Sequence, residues 1–364
     1  MPSDEQRTAL KQLLDRQPRY PIGLYPTPLQ EVPRFSEALG GPRIYLKRDD
    51  LTGLGYGGNK ARMLDYFIGE AKAQGCDVLI GGGAAFQSNH AMMCAAAARK
   101  AGMTPVILAR TGTRYYVFQG NYLLTKLLID GGVYIYSDNP QDAGKRIGSQ
   151  RVRLMNRLAD ELRAEGHKPY ILPGSTHPLG ALGYVECALE LAGQCEEMGI
   201  KPDWIFLTST GSGQAGLLLG NAFLGQRSKI VGCAPTPGTS DRVRAERVAN
   251  LANETADRLG ADVCINPEDV VNLDRGGQGY GIVSSEGMEA LRLMSRTEGI
   301  FLDPVYTSKG VGGLIGEIRK GTVSAQDTVI YIHTGGGPLN FAYSPDLVHE
   351  FDLKQEDDHI VADL

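Results

Sequence analysis

The sequence predicts an open α/β fold made of two interleaved domains. Three observations carry this. Short apolar, β-branched runs alternate with helical patterns of about 10–15 residues, the signature of parallel sheets covered on both faces. Glycine-rich turns repeatedly follow a predicted strand and open a predicted helix, where backbone N–H groups and the helix dipole favour an anion. The chain has 364 residues, enough for two domains. No Ser/Pro-rich linker and no fixed-period repeat divides it, so the domains interleave rather than follow in series.

The elements follow in order. Residues 4–16 pattern as an amphipathic helix, with Leu10, Leu13 and Leu14 on one face. Pro18, Pro21, Pro26 and Pro28 hold an extended segment, and a short helix covers 33–39. Residues 43–47 read as a strand, followed by the charged turn Arg48-Asp49-Asp50. Beyond Lys60, residues Ala61, Met63, Leu64, Phe67, Ile68 and Ala71 recur at helical spacing. Strands are predicted at 77–81, 105–109, 133–136, 169–172, 204–208 and 229–234. Helices are predicted at 89–101, 119–129, 150–165, 180–197, 215–224 and 241–259. After Tyr343 the chain turns acidic and reads as an irregular surface tail.

Composition narrows the function. A net charge of -5 argues against nucleic acid and anionic membranes as partners. Cys76, Cys94, Cys187, Cys195, Cys233 and Cys264 form no CxxC pair, and no two histidines fall at ligand spacing on one element. They read as reduced thiols rather than disulfides or zinc ligands. The N-terminus lacks a basic and an apolar region of the secretory kind, and no run reaches the ~18 apolar residues of a spanning helix. The expectation is a cytoplasmic protein.

Five stretches carry chemistry-bearing residues. In Gly57-Gly58-Asn59-Lys60 the lysine stands at a helix start, where the positive helix end lowers its pKa and frees it as nucleophile or base. In isolation such a lysine is more often simply solvated. Thr208-Ser209-Thr210-Gly211-Ser212-Gly213-Gln214-Ala215-Gly216 follows a strand and opens a helix. Its glycine spacing matches a dinucleotide fingerprint, which would make a nicotinamide oxidoreductase. However, no acid stands at the end of the next strand, before Asp241, to hold a ribose. A different phosphate suits the turn better.

Gln87-Ser88-Asn89-His90 crowds four polar side chains at a helix start, where one would suffice as a cap. Tyr280 lies between two glycines, and Tyr306 precedes a glycine-rich run. Ile332-His333-Thr334-Gly335-Gly336-Gly337 runs from a strand into a glycine turn. A nucleophilic lysine, a phosphate turn, a polar helix start and two phenols are jointly explained by pyridoxal 5'-phosphate.

The motifs Tyr25-Pro26-Thr27-Pro28-Leu29, Lys47-Arg48-Asp49-Asp50, Gly57-Gly58-Asn59-Lys60, Gln87-Ser88-Asn89-His90, Gly180-Ala181-Leu182-Gly183-Tyr184-Val185-Glu186, Leu302-Asp303-Pro304-Val305-Tyr306 and His333-Thr334-Gly335-Gly336 carry a resemblance. The chain resembles the D-cysteine desulfhydrase and 1-aminocyclopropane-1-carboxylate deaminase branch of the pyridoxal-phosphate fold type II enzymes, which are tryptophan-synthase-β-like. The resemblance runs from about residue 25 to 343. It implies two α/β domains with the cofactor in the cleft between them. The expected divisions are a smaller domain over 51–184, a larger one of 1–50 plus 185–345, and a tail over 346–364.

The resemblance also implies residue roles. Lys60 would form the imine with the cofactor, Asn89 would meet its phenolic oxygen, and Thr210, Gly211, Ser212 and Gly213 would cup its phosphate. Gln87, Ser88 and Asn89 would hold the substrate carboxylate, with Ser88 as a proton relay. Tyr280 and Tyr306 would be the active-site tyrosines. The residue facing the pyridine nitrogen is a glutamate in the deaminases; here it is Thr307, as in the desulfhydrases.

This implies β-elimination from a small amino acid such as D-cysteine, yielding pyruvate, ammonia and sulfide. L-Cysteate sulfo-lysis and deamination of 1-aminocyclopropane-1-carboxylate are the alternatives. The loop Arg114-Tyr115-Tyr116 departs from the family pattern, so Arg114 is expected to read an anionic substrate group. A homodimer is expected from the family.

Overall fold

The computed structural model describes residues 2–83, 86–110, 117–136, 150–174 and 176–353. The first third runs α1 (Asp4–Asp15), β1 (Leu29–Glu31), α2 (Pro33–Ala38), β2 (Arg43–Lys47), α3 (Lys60–Ala73), β3 (Val78–Gly83) and α4 (Asn89–Lys100). The middle runs β4 (Thr104–Arg110), α5 (Gly120–Leu128), β5 (Tyr134–Tyr136), α6 (Gln150–Ala164), β6 (Pro169–Ile171), α7 (Pro178–Glu197), β7 (Trp204–Leu207) and α8 (Ser212–Phe223). The last third runs β8 (Lys229–Ala234), α9 (Asp241–Leu259), β9 (Val271–Asp274), α10 (Ser285–Glu298), α11 (Thr307–Arg319), β10 (Thr328–Ile332), α12 (Leu339–Ala342) and α13 (Ser344–Phe351).

The strands form two sheets. The larger has the order β1-β2-β10-β7-β8-β9, and the smaller β5-β4-β3-β6. Among the described residues, only β1 is antiparallel to its neighbour; the other pairs are parallel. The whole smaller sheet is inserted between β2 and β7, and β10 returns to lie between those two strands. This is the interleaving that the missing linker predicts.

Side-chain alternation covers each sheet twice. On β10, Ile330 and Ile332 pack with α7, α8 and α9, while Val329 and Tyr331 face α10 and α11. On β3, Val78 and Ile80 face α6, while Leu79 joins a cluster with α3 and α4. That last cluster also takes in Leu10 and Leu14 of α1, Leu182 of α7 and Leu219 of α8. One apolar core therefore joins the helices of both sheets. Parallel strands put their C-terminal ends on one side, and a cleft opens there.

One expectation fails. The irregular tail predicted after Tyr343 begins as α13, with Pro345 in its first turn. Leu347 and Phe351, four residues apart on one face, pack on the core beside α10. Acidic residues lie on the rest of the helix and masked this pair. Residues 354–364 lie outside the described range.

Candidate active site

A cavity of about 390 Å³ lies at the strand C-termini, within the usual size range of cofactor and ligand sites. Its wall includes residues following β3, β7, β8 and β10, among them Ser88, Ser209, Pro235 and Thr334. Lys60, the first residue of α3, is on that wall. Burial pushes its amine down to about 8; the helix-start argument gave the right direction through a different dominant cause.

The turn presenting Lys60 is pinned on both sides. Gly58 N donates to Asp49 O at 2.9 Å, and Asn59 N donates to Thr334 O at 3.1 Å. Gly58 has a φ of +133°. A Cβ there would lie 2.9 Å from Asn89 Nδ2 and 3.1 Å from Thr334 O. Only glycine allows the lysine turn, the α4 start and the Thr334–Gly336 turn to meet so closely.

Behind the turn stands a buried ionic cluster. Arg62, two residues past Lys60, donates from Nε to Asp49 Oδ2 and from Nη2 to Asp49 Oδ1, both at 2.8 Å. Its Nη1 donates to Glu190 Oε2 at 2.9 Å. Asp49 also accepts from Thr27 Oγ1 and from the Tyr184 hydroxyl. Lys47 pairs with Glu190 and donates to Thr27 O. Burial alone would raise the Asp49 carboxyl, but Arg62 holds it below its ordinary range. The cluster ties β2, α3, α7 and the Pro26–Pro28 segment together. This explains why Lys47-Arg48-Asp49-Asp50 and Tyr25-Pro26-Thr27-Pro28-Leu29 stand out as motifs.

Tyr280 and Tyr306 also line the cavity and place their hydroxyls 2.5 Å apart, their rings edge to face. Burial raises both phenols above their ordinary value, so both stay protonated at neutral pH. Lys309 holds the Tyr280 loop by donating to Gly276 O and Gly279 O at 3.0 and 3.2 Å. Tyr343 donates to Gly281 O at 2.8 Å. At the second glycine turn, α8 begins after Gly211 with no side-chain cap, leaving its first N–H groups open to an anion.

Of the predicted site residues, Lys60, Ser88, Asn89, Thr210, Gly211, Gly213, Tyr280 and Tyr306 line this one cavity. Three point their side chains elsewhere. Gln87 donates to Val117 O and Gln119 O, so its amide is spent on the loop before α5. The Ser212 hydroxyl is tied to the backbone of His177. Thr307 is fully buried, its hydroxyl donating to Asp303 Oδ2 at 2.7 Å. Arg114 lies outside the described residues.

Further side chains line the cavity without having been singled out, among them Tyr136, Arg151, Thr176 and Thr236. Only the inserted position of the smaller sheet brings the first two here. His90 also lines it, kept neutral by burial and by Lys60 and Arg151, which push it down to about 3.

Residues 21–335 match the family described as pyridoxal-phosphate dependent enzyme. The chain belongs to this family. It is 38% identical over 340 residues to a Pyrococcus abyssi (strain GE5 / Orsay) protein named "Putative 1-aminocyclopropane-1-carboxylate deaminase", covering 92% of this chain and 97% of that protein. It also superposes on a crystal structure titled as that of an ACC deaminase homologue. There the TM-score is 0.81 and the identity 36%, over 94% of this chain and 98% of that one. The protein is therefore a pyridoxal-phosphate-dependent enzyme of lyase type, with the fold type II architecture.

The cavity fits the cofactor. A desolvated lysine amine stands on the wall, and the α8 turn offers free N–H groups to a phosphate. Asn89 Oδ1 is buried with no hydrogen-bond partner, and its Nδ2 reaches only the Met93 sulfur at 3.5 Å. A buried amide left this way costs stability unless a ligand completes it.

Proposed function

We propose that the protein catalyses β-elimination from a small amino acid such as D-cysteine, releasing pyruvate, ammonia and the β-substituent. The observation that carries this reading is the absence of any Asp or Glu among the described residues lining the cavity. Pyridoxal phosphate supplies the electron sink that accepts the pair left when the substrate's α-proton departs. A carboxylate beside the ring nitrogen would keep it protonated and strengthen that sink. Here the position the resemblance assigns to this contact carries Thr307, whose proton is engaged by Asp303. A weaker sink suffices when a good β-leaving group departs; opening a cyclopropane ring has none.

The chain's own groups then take these roles. Lys60, partly neutral near pH 8, removes the α-proton. Asn89 and the backbone N–H groups of the first turn of α4 that Ser88 does not cap hold the carboxylate. Ser88 caps that helix by accepting from Ala91 N, so its proton is free for relay. The paired Tyr280 and Tyr306 hydroxyls orient the substrate and protonate the departing group.

The test is product analysis with D-cysteine, L-cysteine, L-cysteate, D-serine and 1-aminocyclopropane-1-carboxylate. Pyruvate from a β-substituted substrate is expected. A four-carbon oxo acid from the cyclopropane substrate, with no pyruvate from the others, would overturn the reading in favour of ring opening.

A further inference from the structure

Arg151, in the first turn of α6, lines the same cavity as Lys60. Its Nε is buried and donates to no group, and no ion pair links its guanidinium to a carboxylate among the described residues. A buried guanidinium nitrogen without an acceptor is costly in a finished protein interior. Its titratable neighbours supply no compensating charge. His90 is held neutral, and burial pushes the Cys94 thiol up to about 12 despite the nearby Arg151 and Lys60. In a protein of net charge -5, this cavity is lined by two cations, Lys60 and Arg151, and by no described acid.

The cofactor does not account for both cations. Lys60 is the group that joins it, and its phosphate has the α8 turn on the larger-sheet wall. Arg151 lines the cavity from α6, with Tyr136 of β5 and Gly82 and Gly83 of β3 in the smaller sheet and His90 of α4. A substrate whose only anion is its α-carboxylate already has the start of α4. We propose that Arg151 is the specificity residue that binds a tetrahedral oxyanion on the substrate's β-carbon, a sulfonate or a phosphoester. A guanidinium presents several donors in a fixed fork suited to such groups.

The inference rests on the β-elimination reading and narrows its substrate class. For a sulfonate, the Cα–H bond gives its proton to Lys60 and the Cβ–S bond breaks. Sulfur leaves with the bonding pair as sulfite. Water then releases ammonia from the three-carbon remainder to give pyruvate, so no oxidant or reductant is needed. A β-carboxylate would satisfy Arg151 equally but has no comparable departure.

The experiment uses the holoenzyme and its Arg151→Met and Arg151→Lys variants, with cysteate, O-phosphoserine and cysteine as substrates. Binding of 3-sulfopropanoate is measured separately by titration calorimetry. In Arg151→Met, kcat/KM for the better oxyanion substrate should fall at least about tenfold, the lower end for losing a hydrogen bond to a charged group. The loss should fall mainly in KM, cysteine should be unaffected, and 3-sulfopropanoate binding should vanish. Arg151→Lys should recover part of both. Comparison of cysteate with O-phosphoserine tells which oxyanion is meant.

Equal losses on all three substrates, weaker cofactor retention, or unchanged 3-sulfopropanoate binding would overturn the proposal. If no substrate yields pyruvate, the elimination reading fails while the calorimetry still decides the role of Arg151.

Discussion

At the scale of single residues the decisive group is Lys60. Its ordinary pKa is 10.5, and burial brings it to about 8. The neutral amine is the reactive form, and it grows as pH rises through the folded value. Covalent capture of pyridoxal phosphate by the apo-protein should therefore accelerate up to about pH 8 and level off above it. An unshifted lysine would keep accelerating up to its ordinary value of 10.5. Stopped-flow absorbance with borohydride trapping gives the profile. Lys60→Ala should capture nothing and lose turnover, with an unchanged unfolding transition. A profile still rising at pH 10 would show that the amine is not desolvated. Lys60 was legible in the sequence only through its company, the second glycine turn, the polar helix start at Gln87-Ser88-Asn89-His90 and the two tyrosines, because a lone lysine at a helix start is more often simply solvated. Arg151 was not. It shares a helix with Arg153, Arg157 and Arg163, and on sequence pattern alone nothing sets it apart from those ordinary, solvated arginines.

At the scale of elements, the ionic cluster around Arg62 connects the lysine turn to the rest of the fold. Arg62 is almost fully buried and Asp49 is fully buried, and Glu190 is nearly so. Removing one member leaves opposite charges in the interior without their partner. Arg62→Met is expected to cost about 3–5 kcal/mol, read as a lower denaturant midpoint, and to loosen the turn that presents Lys60. A midpoint equal to the parent's would mean that water or a rearranged Lys47 compensates.

The same scale shows where reading the sequence succeeded. The repeating units up to α9 were legible because short apolar strand runs alternate with helical stretches of 10–20 residues across glycine-rich turns; α9, predicted over 241–259, spans Asp241–Leu259. The stretch beyond it was read only in fragments. Gly310, Gly312, Gly313 and Gly316 look like a turn, yet they lie inside α11. A Cβ at Gly312 would sit 2.8 Å from Glu286 O of α10, so its glycine serves close helix contact rather than a bend. The signals for α10, a Ser284 cap and a left-handed Gly299 after its last turn, were present in the sequence.

For the whole molecule, the merged core behind the cavity sets an acid limit on stability. His90 sits among α4, Lys60 of α3 and Arg151 of α6, with the Cys94 sulfur 3.7 Å from its Nε2. Burial, then the charges of Lys60 and Arg151, lower it from 6.5 to about 3. Below pH 6.5 the unfolded chain takes up a proton that the folded one refuses. Stability is therefore lost as pH falls through this window, by at most about 1.4 kcal/mol per unit for one group. His177, also lowered by burial, adds in the same direction. Glu186 and Asp65, whose carboxyls burial raises, act oppositely, since the folded state takes their protons first. Asp49 contributes only below its ordinary 3.8. The His90 share is isolated by comparing the parent with His90→Gln in thermal unfolding between pH 7 and 4.5. The variant is expected to be less stable or equal at pH 7, where a packed imidazole is lost, and to lose less stability on acidification. The parent's stability minus the variant's should therefore decrease steadily with falling pH, whatever its value at pH 7. Parallel curves would mean that His90 takes its proton in the folded state as readily as in the unfolded one. The cavity would then be wet around Arg151, and the unbalanced charge assigned to that wall would be screened by solvent.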